Sequence, residues 1–108
     1  MSHPLGFITQ PPESLVAGVG SAATFTCRAR GHVFWSINGQ QVGSQASVDR
    51  FQANNVSVPL STSSESSVVI RPVSVNHNGT TLQCLVEELG RLDILNRSKI
   101  VELFVIGM

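Results

Sequence analysis

Three histidines and a few neighbouring acids and serines are the side chains that could act on a substrate. His3 lies in the N-terminal tail, and His32 and His77 fall in predicted loops. A serine, a histidine and an acid can meet in space from any order in the chain, but no local signature of an activated nucleophile is present. Glu87 and Glu88 are adjacent, so strand geometry would turn them to opposite sheet faces. We therefore expect no catalytic residues and do not classify the chain as an enzyme.

The two cysteines, Cys27 and Cys84, are the other reactive side chains. Two distant cysteines and scattered histidines do not match the ligand spacing of a zinc site, so we expect no metal and no cofactor. One disulfide between them would close a loop of about 58 residues and stabilise the fold by about 4 kcal/mol on the loop-entropy model. A disulfide would indicate an oxidising compartment, whereas two reduced, buried thiols are the alternative.

Three asparagines lie in glycosylation sequons, which are Asn55-Val56-Ser57, Asn78-Gly79-Thr80 and Asn96-Arg97-Ser98. Each motif is short and individually weak. All three fall at predicted turns or strand ends, where a glycan could attach without being buried. Asn78 has a second explanation, since asparagine tolerates the left-handed backbone of a tight turn. Together with a disulfide, the sequons favour a secreted or cell-surface protein.

Length and charge narrow the class of protein further. The 108 residues fit a single domain over residues 1–108, with zero formal net charge and 13% charged residues. This charge gives no reason to expect nucleic acid as a partner. No stretch approaches the roughly 18–20 apolar residues of a membrane span, so direct membrane insertion is not expected. No apolar region follows the first residues, as a signal peptide would require, and we expect an ectodomain fragment of a membrane protein.

Alternating apolar and polar side chains predict a succession of strands that would hold these residues. Asn38-Gly39 is a strong signal for a hairpin between two of them. Residues 43–54 are polar and predicted irregular, with room for a short C″ strand, and residues 61–67 are predicted to form a loop. No helix of useful length is predicted. The strands are A at 7–10, A′ at 14–17, B at 22–29, C at 33–37, C′ at 40–42, D at 56–60, E at 68–71, F at 80–87 and G at 98–106.

Several motifs make the chain resemble immunoglobulin-superfamily domains over nearly its whole length. They are Gly20-x-Ala22-x-Thr24-x-x-Cys27, Trp35, Arg50-Phe51, Val68-x-Ile70-x-x-Val73 and Asn78-Gly79-Thr80-x-Leu82-x-Cys84. The resemblance implies an all-β, two-sheet Greek-key sandwich in which one inter-sheet disulfide, Cys27–Cys84, packs against Trp35. The 56 residues between the cysteines lie between the intermediate and variable types. The chain is therefore similar to a variable-like or intermediate-set domain.

Other positions depart from the variable-type pattern. Variable-type domains usually have an acidic residue six positions before the second cysteine, but this chain has Asn78 there. An ion pair with Arg50 is therefore in doubt. Leu82 occupies the position of the usual corner tyrosine. Asn38 occupies the position of the glutamine that antibody chains use in pairing. The chain contains no tyrosine, so a tyrosine-rich paratope is impossible. Pairing of the antigen-receptor kind is therefore not supported.

The resemblance implies a binding role and leaves three functions open, because fold alone does not determine function. The first is an extracellular protein-binding module of a cell-surface recognition or adhesion protein. The second is a secreted or immune-type receptor domain that binds a foreign or soluble ligand. The third is a structural spacer in a modular intracellular protein, which free thiols in the native protein would favour. The expected partner is a protein, either another immunoglobulin-type domain or a second copy in a homodimer.

Strand parity predicts where a protein partner would bind. If Cys84 on F and Trp35 on C point into the core, the residues next to them in each strand point to solvent. On G, the acidic Glu102 is expected to point to solvent, and the alternate residues of that strand point the same way. A bulge or a longer F–G loop is then required, because a tight hairpin would place Arg97 opposite Cys84. The alternative is that the outward aromatic and leucine side chains lie singly beneath their neighbours. Because F lies between C and G, one apolar patch is predicted on the GFC sheet face, with partner-binding residues Phe34, Leu85, Ile100 and Phe104.

Overall fold

The structure is a computed structural model that describes residues 4–88 and 93–107. Most regular structure in this part of the chain is β, as the sequence predicts. Outside the strands, it contains one α-helix, α1 (Gln45–Gln52), and one 3₁₀ helix (Val75–His77). The strands are β1 (Ile8–Gln10), β2 (Leu15–Gly18), β3 (Ala23–Ile37), β4 (Gln40–Gln41), β5 (Val56–Ser57), β6 (Thr62–Ile70), β7 (Thr81–Glu87), β8 (Ile94–Arg97) and β9 (Val101–Ile106).

The strands form two layers that share strand β3. In the first layer, residues 23–28 of β3 pair with β6, β5 pairs with β6, and β1 pairs with β3. In the second layer, residues 32–37 of β3 pair with β7, and β7 pairs with both β8 and β9. β4 pairs with the other edge of β3, and β2 pairs in parallel with β9. The predicted immunoglobulin-like sandwich is confirmed, with β3 supplying strands B and C, β7 strand F, and β8 with β9 strand G.

Strand β3 passes from one layer to the other at Gly31. A loop around His32 was expected between strands B and C, but the structure has one continuous strand with a register shift just before His32. Gly31 has a φ of 144°, and a Cβ there would lie 2.8 Å from Val86 Cγ1 and 3.1 Å from the Glu87 carbonyl oxygen. Strands that change layers do so through bends or bulges of this kind. The loop prediction is wrong because glycine lets the backbone bend without leaving the ladder.

The core lies between the layers and is crossed by the predicted disulfide. The Cys27–Cys84 bridge joins β3 to β7 with the Cα atoms 6.3 Å apart, and Trp35 is fully buried. Trp35 Nε1 donates a hydrogen bond to Ser66 Oγ at 2.9 Å, which satisfies its one polar atom in the interior. The predicted inward parity is confirmed on B, E and G, where the buried side chains are Ala23, Phe25, Ala29, Val68, Ile70, Val73, Val101 and Leu103.

Helix α1 occupies the segment between β4 and β5. Ser44 caps the helix, because its hydroxyl accepts from the Ser47 N–H at 3.2 Å and the Ser47 hydroxyl accepts from the Ser44 N–H at 3.2 Å. Val48 and Phe51 are three residues apart, share a helix face and pack against the core. The prediction that 43–54 is irregular, and that the chain lacks a useful helix, is therefore wrong. The described part of this segment contains no C″ strand.

Strand β6 begins at Thr62, inside the segment 61–67 that was predicted to be a loop. Hydroxyl side chains hold it to β3, since Ser67 and Thr26 share a hydrogen bond of 2.9 Å. Ser66 is buried and receives the indole hydrogen bond. The loop prediction fails because these polar residues pair with β3, from Thr62 opposite Val33 to Ser67 opposite Thr26.

Strand G is divided into β8 and β9 around Ser98, whereas the prediction was one strand over 98–106. The Ser98 hydroxyl accepts from the Cys84 N–H at 3.0 Å, and the Ser98 N–H donates to the Cys84 carbonyl at 2.9 Å. Arg97 lies opposite Leu85 rather than Cys84. The bulge expected from sequence lies within the β7–β8 ladder, where the register shifts between Val86 and Glu87.

Gly31→Ala should destabilise the domain because Gly31 has a positive φ and no room for a Cβ. We expect the free energy of unfolding to fall by about 2–4 kcal/mol, from backbone strain together with steric overlap. Urea unfolding followed by tryptophan fluorescence measures the change. The matched control is Gly43→Ala, where a Cβ would meet nothing within 4 Å and the expected change is about 0.5 kcal/mol or less. Equal unfolding midpoints for the two variants would contradict the role assigned to Gly31.

Candidate functional site

The outer surface of the second layer is called the GFC face here. It carries the side chains of β3, β7 and β8 that point away from the disulfide. Directly opposed residues in a ladder share a face, and the ladders pair Phe34 with Leu85, Ser36 with Gln83, Leu85 with Arg97 and Glu87 with both His32 and Ile94. The GFC face therefore consists of His32, Phe34, Ser36, Gln83, Leu85, Glu87, Ile94 and Arg97.

Phe34 and Leu85, two of the predicted partner-binding residues, meet as a cross-strand pair on this face. Their side chains are only 8% and 1% exposed. Both are buried, although neither belongs to the core cluster between the layers. The prediction that Phe34 and Leu85 form an exposed patch is therefore wrong. The alternative, that these side chains lie beneath their neighbours, describes the pair better. A role in partner binding stays a prediction.

Ile100 and Phe104, the other two predicted residues, are exposed as expected. Ile100 is 65% exposed and borders a small hollow beside Gln83 on the GFC face. Phe104 is 45% exposed and lies opposite Val16 in the β2–β9 ladder, away from the Phe34–Leu85 pair. The structure thus places Ile100 next to the GFC face and Phe104 on the neighbouring edge of the same layer.

A groove of about 570 Å³ opens on the GFC face beside Phe34. One wall follows β4, a second comes from the segment before β6, and a third from β7 and β8. Most of the lining is apolar or neutral. The lining residues are Phe34, Gln41, Val42, Gly43, Leu60, Ser61, Glu87 and Ile94.

Backbone pairing positions the walls of this groove. The Val42 N–H donates to the Trp35 carbonyl at 2.8 Å, which holds the segment after β4 against β3. Thr62 pairs with Val33, so the chain just before it brings Leu60, 40% exposed, to the edge of the GFC face. Sequence analysis missed Leu60 because an apolar residue at a predicted strand end is expected to enter the core. Only the pairing of β6 with the second half of β3 turns it outward.

Glu87 is the one ionisable residue among the described residues that line the groove. Its carboxylate makes no hydrogen bond or ion pair with the described part of the chain. His32 lies opposite it on β3, and Arg97 lies one row away opposite Leu85. The groove therefore combines apolar and neutral walls with one carboxylate that has no ion-pair partner among the described residues.

His77 belongs to the framework rather than to a surface loop. Its side chain is 1% exposed, Nδ1 accepts from the Ser74 N–H at 2.9 Å, and Nε2 donates to the Asn54 carbonyl at 2.7 Å. These bonds join the 3₁₀ helix to the chain between α1 and β5. The loop assignment from sequence missed this role, because a histidine's partners can be far away in sequence.

The three sequon asparagines are exposed but differ in their contacts. Asn55 has a φ of 64°, and its side chain makes no hydrogen bond with the described residues. Asn78 Oδ1 accepts from the Val105 N–H at 2.9 Å. Asn96 lies inside β8 rather than at a turn, and its Nδ2 donates to the Gly6 carbonyl at 3.1 Å. Glycosylation at each site stays a prediction, with Asn55 the least engaged in the fold.

Residues 4–88 and 93–107 contain no group of three His, Cys, Asp or Glu side chains placed to hold a metal ion. No helix in this part of the chain is long and apolar enough to cross a membrane.

A family model of the immunoglobulin domain matches residues 13–96, which is more than half of the chain. The chain therefore belongs to the immunoglobulin-domain family. The matched region includes both cysteines, the buried tryptophan and the strands β3 and β7 that carry the GFC face. No curated protein sequence matches the chain.

Similar solved structures share this fold at low sequence identity. The Duf (Kirre) D1 structure has a TM-score of 0.70 and 23% identity, covering 92% of this chain and 94% of its own. The Ig1-2 module of the Drosophila receptor protein tyrosine phosphatase DLAR has a TM-score of 0.68 and 23% identity over 92% of this chain, and 47% of that module is covered. Domain I10 of titin has a TM-score of 0.63 and 12% identity, with 93% and 97% covered. The chain spans about half of the DLAR module, and these likenesses show the fold alone.

His77→Ala should destabilise the domain because it removes a buried side chain and leaves the partly buried Ser74 N–H and Asn54 carbonyl without this partner. We expect a loss of about 2–4 kcal/mol, from the unpaired groups and the cavity together. Thermal or urea unfolding measures it. The control is Asn76→Ala on the same 3₁₀ helix, an exposed position with an expected change of about 0.5 kcal/mol or less. A loss no larger than that of Asn76→Ala would show that the His77 bonds contribute little.

Protein secreted from a glycosylating host should carry a glycan at Asn55, because its side chain is exposed and makes no hydrogen bond with the described residues. Ser57→Ala removes this sequon without altering the αL backbone of the asparagine, and should lower the intact mass by one glycan. Mass spectrometry with and without glycosidase measures the difference. Ser63→Ala, exposed and outside any sequon, should leave the mass of the glycan unchanged. Identical glycan masses for wild type and Ser57→Ala would rule out glycosylation at Asn55.

Proposed function

We propose that this domain is an extracellular protein-binding module of a cell-surface recognition or adhesion protein, and that it binds through the GFC face. The observation that carries the proposal is the groove beside Phe34, with the exposed Leu60 at its edge and Ile100 on the same side of the layer. Apolar surface beside a polar rim is typical of protein interfaces. A second copy of the chain and another immunoglobulin-type domain are both candidate partners.

Two features support the extracellular setting. The Cys27–Cys84 bridge suits an oxidising compartment, and three sequon asparagines are exposed where glycans could attach. One of the similar structures is the N-terminal Ig1-2 module of a receptor, the protein tyrosine phosphatase DLAR. A membrane-protein parent is part of the same proposal.

Two other functions are distinguished from adhesion by specific observations. A secreted or immune-type receptor domain for a foreign or soluble ligand would use the same face. Its distinguishing test is whether the partner is a soluble molecule rather than a protein on another cell. The third function is the structural spacer in a modular intracellular protein, and domain I10 of titin has the same fold at a TM-score of 0.63. If Cys27 and Cys84 were free thiols in protein isolated from its native source, that result would favour the spacer function.

Charge introduced at Leu60 or Ile100, beside the GFC face, should weaken partner binding. Tetramers of the domain, produced in a secretory host, are tested on beads coated with the same domain and on a panel of cell surfaces. We expect Leu60→Arg and Ile100→Arg to weaken the binding seen with wild type by about tenfold or more, because a charge in an apolar contact is poorly tolerated.

The matched control is Val75→Arg, since Val75 is 59% exposed on the 3₁₀ helix and lies outside the GFC face. It should bind as wild type does. Equal binding by all three variants would show that the partner docks elsewhere. Wild-type tetramers that bind neither the beads nor any cell would contradict the adhesion role.

A further inference from the structure

The groove on the GFC face has a chemical character that specifies more than a protein partner in general. Its floor includes Phe34, and Leu60 and Ile94 supply apolar side chains at its edges. Gln41 and Ser61 are neutral, and Glu87 is the only ionisable lining residue that the structure describes. An occupant that fits this lining needs a long apolar portion and one positive charge.

The charge of Glu87 is available to such an occupant. Its carboxylate has no hydrogen-bond or ion-pair partner among residues 4–88 and 93–107. It is attached to the central strand β7, between His32 on β3 and Ile94 on β8. The apolar walls beside it strengthen an ion pair formed there, because they exclude part of the solvent that would screen it.

We propose that the groove recognises a partner protein through an exposed arginine or lysine side chain. The aliphatic stem of that side chain lies along Leu60 and the edge of Phe34, and its charged end pairs with Glu87. Arginine and lysine bury their stems on apolar surface while keeping the charge at a polar site. This inference rests on the proposed function, since it assumes that the GFC face meets a protein.

Other occupants fit the lining less well. A nucleic acid would bring phosphate groups towards the Glu87 carboxylate, which repels them. A metal ion would find a single carboxylate where it needs several oxygen ligands. An acidic side chain would be repelled in the same way as phosphate. A basic side chain is the common protein group that satisfies both the apolar walls and the charge.

The direct test uses small probes rather than the unidentified partner. Nα-acetyl-arginine methylamide and its neutral analogue Nα-acetyl-citrulline methylamide are titrated into the ¹⁵N-labelled domain, and amide shifts are followed by NMR. We expect the arginine probe to shift the amides of Gly43, Leu60 and Ile94 with a dissociation constant of about 1 mM or weaker, and the citrulline probe to bind about three- to fivefold more weakly, as loss of one exposed ion pair predicts.

Glu87→Gln should bring the arginine probe to the affinity of the citrulline probe, because the variant keeps the shape of the side chain and removes its charge. The matched control is Glu102→Gln on β9, an acid of the same layer that does not line the groove. It should preserve the difference between the probes. The inference is overturned if neither probe binds, if the shifts map outside the groove, if both probes bind equally, or if Glu87→Gln changes nothing.

The tetramer assay separates failure of this inference from failure of the proposed function. If Leu60→Arg abolishes partner binding while Glu87→Gln leaves it intact, the GFC face binds its partner without a basic side chain and the inference falls alone. If the arginine probe binds the groove but Leu60→Arg leaves tetramer binding unchanged, the groove has the inferred chemistry and the proposed function falls. A drop in binding with both variants, and not with Glu102→Gln, supports both.

Discussion

Strand β3 belongs to both layers, and the rest of the domain depends on that crossing. Its first half forms the centre of one layer and its second half the centre of the other, and Gly31 lies at the bend. The Cys27–Cys84 bridge then ties the first half of β3 to β7 in the opposite layer. The two layers are thus joined both by a covalent bond and by a continuous strand. Trp35 is fully buried between them.

The continuous course of β3 also shapes the GFC face. No loop separates strands B and C in the described chain, so the start of β6 can pair with β3 just beyond the bend. That pairing brings Leu60 and Ser61 to the groove. The result is a recess with apolar edges, in place of the flat patch expected from strand parity.

Polar side chains provide hydrogen-bond partners for backbone groups where the strands are interrupted. Ser98 bonds the Cys84 N–H at the break between β8 and β9, and Asn38 Oδ1 accepts from the Thr81 N–H at 3.0 Å beside the β3–β4 hairpin. His77 does the same for the chain after α1. No buried side-chain nitrogen or oxygen among the described residues lacks a hydrogen-bond partner. This satisfaction of polar groups matters in a small domain, because an unpaired buried group costs about 1–3 kcal/mol.

The sequence by itself determined the framework of the fold. The alternation around Cys27 and Cys84 identified the inward residues, the Asn38-Gly39 pair located a hairpin, and the acidic Glu102 set the parity of G, because these signals depend on a period of two or on one turn. Only the tertiary structure decided the burial of Phe34 and Leu85. Parity shows which way a side chain points, but the neighbours that cover it come from segments far away in sequence. Helix α1, buried His77 and the groove follow from the same kind of distant contact.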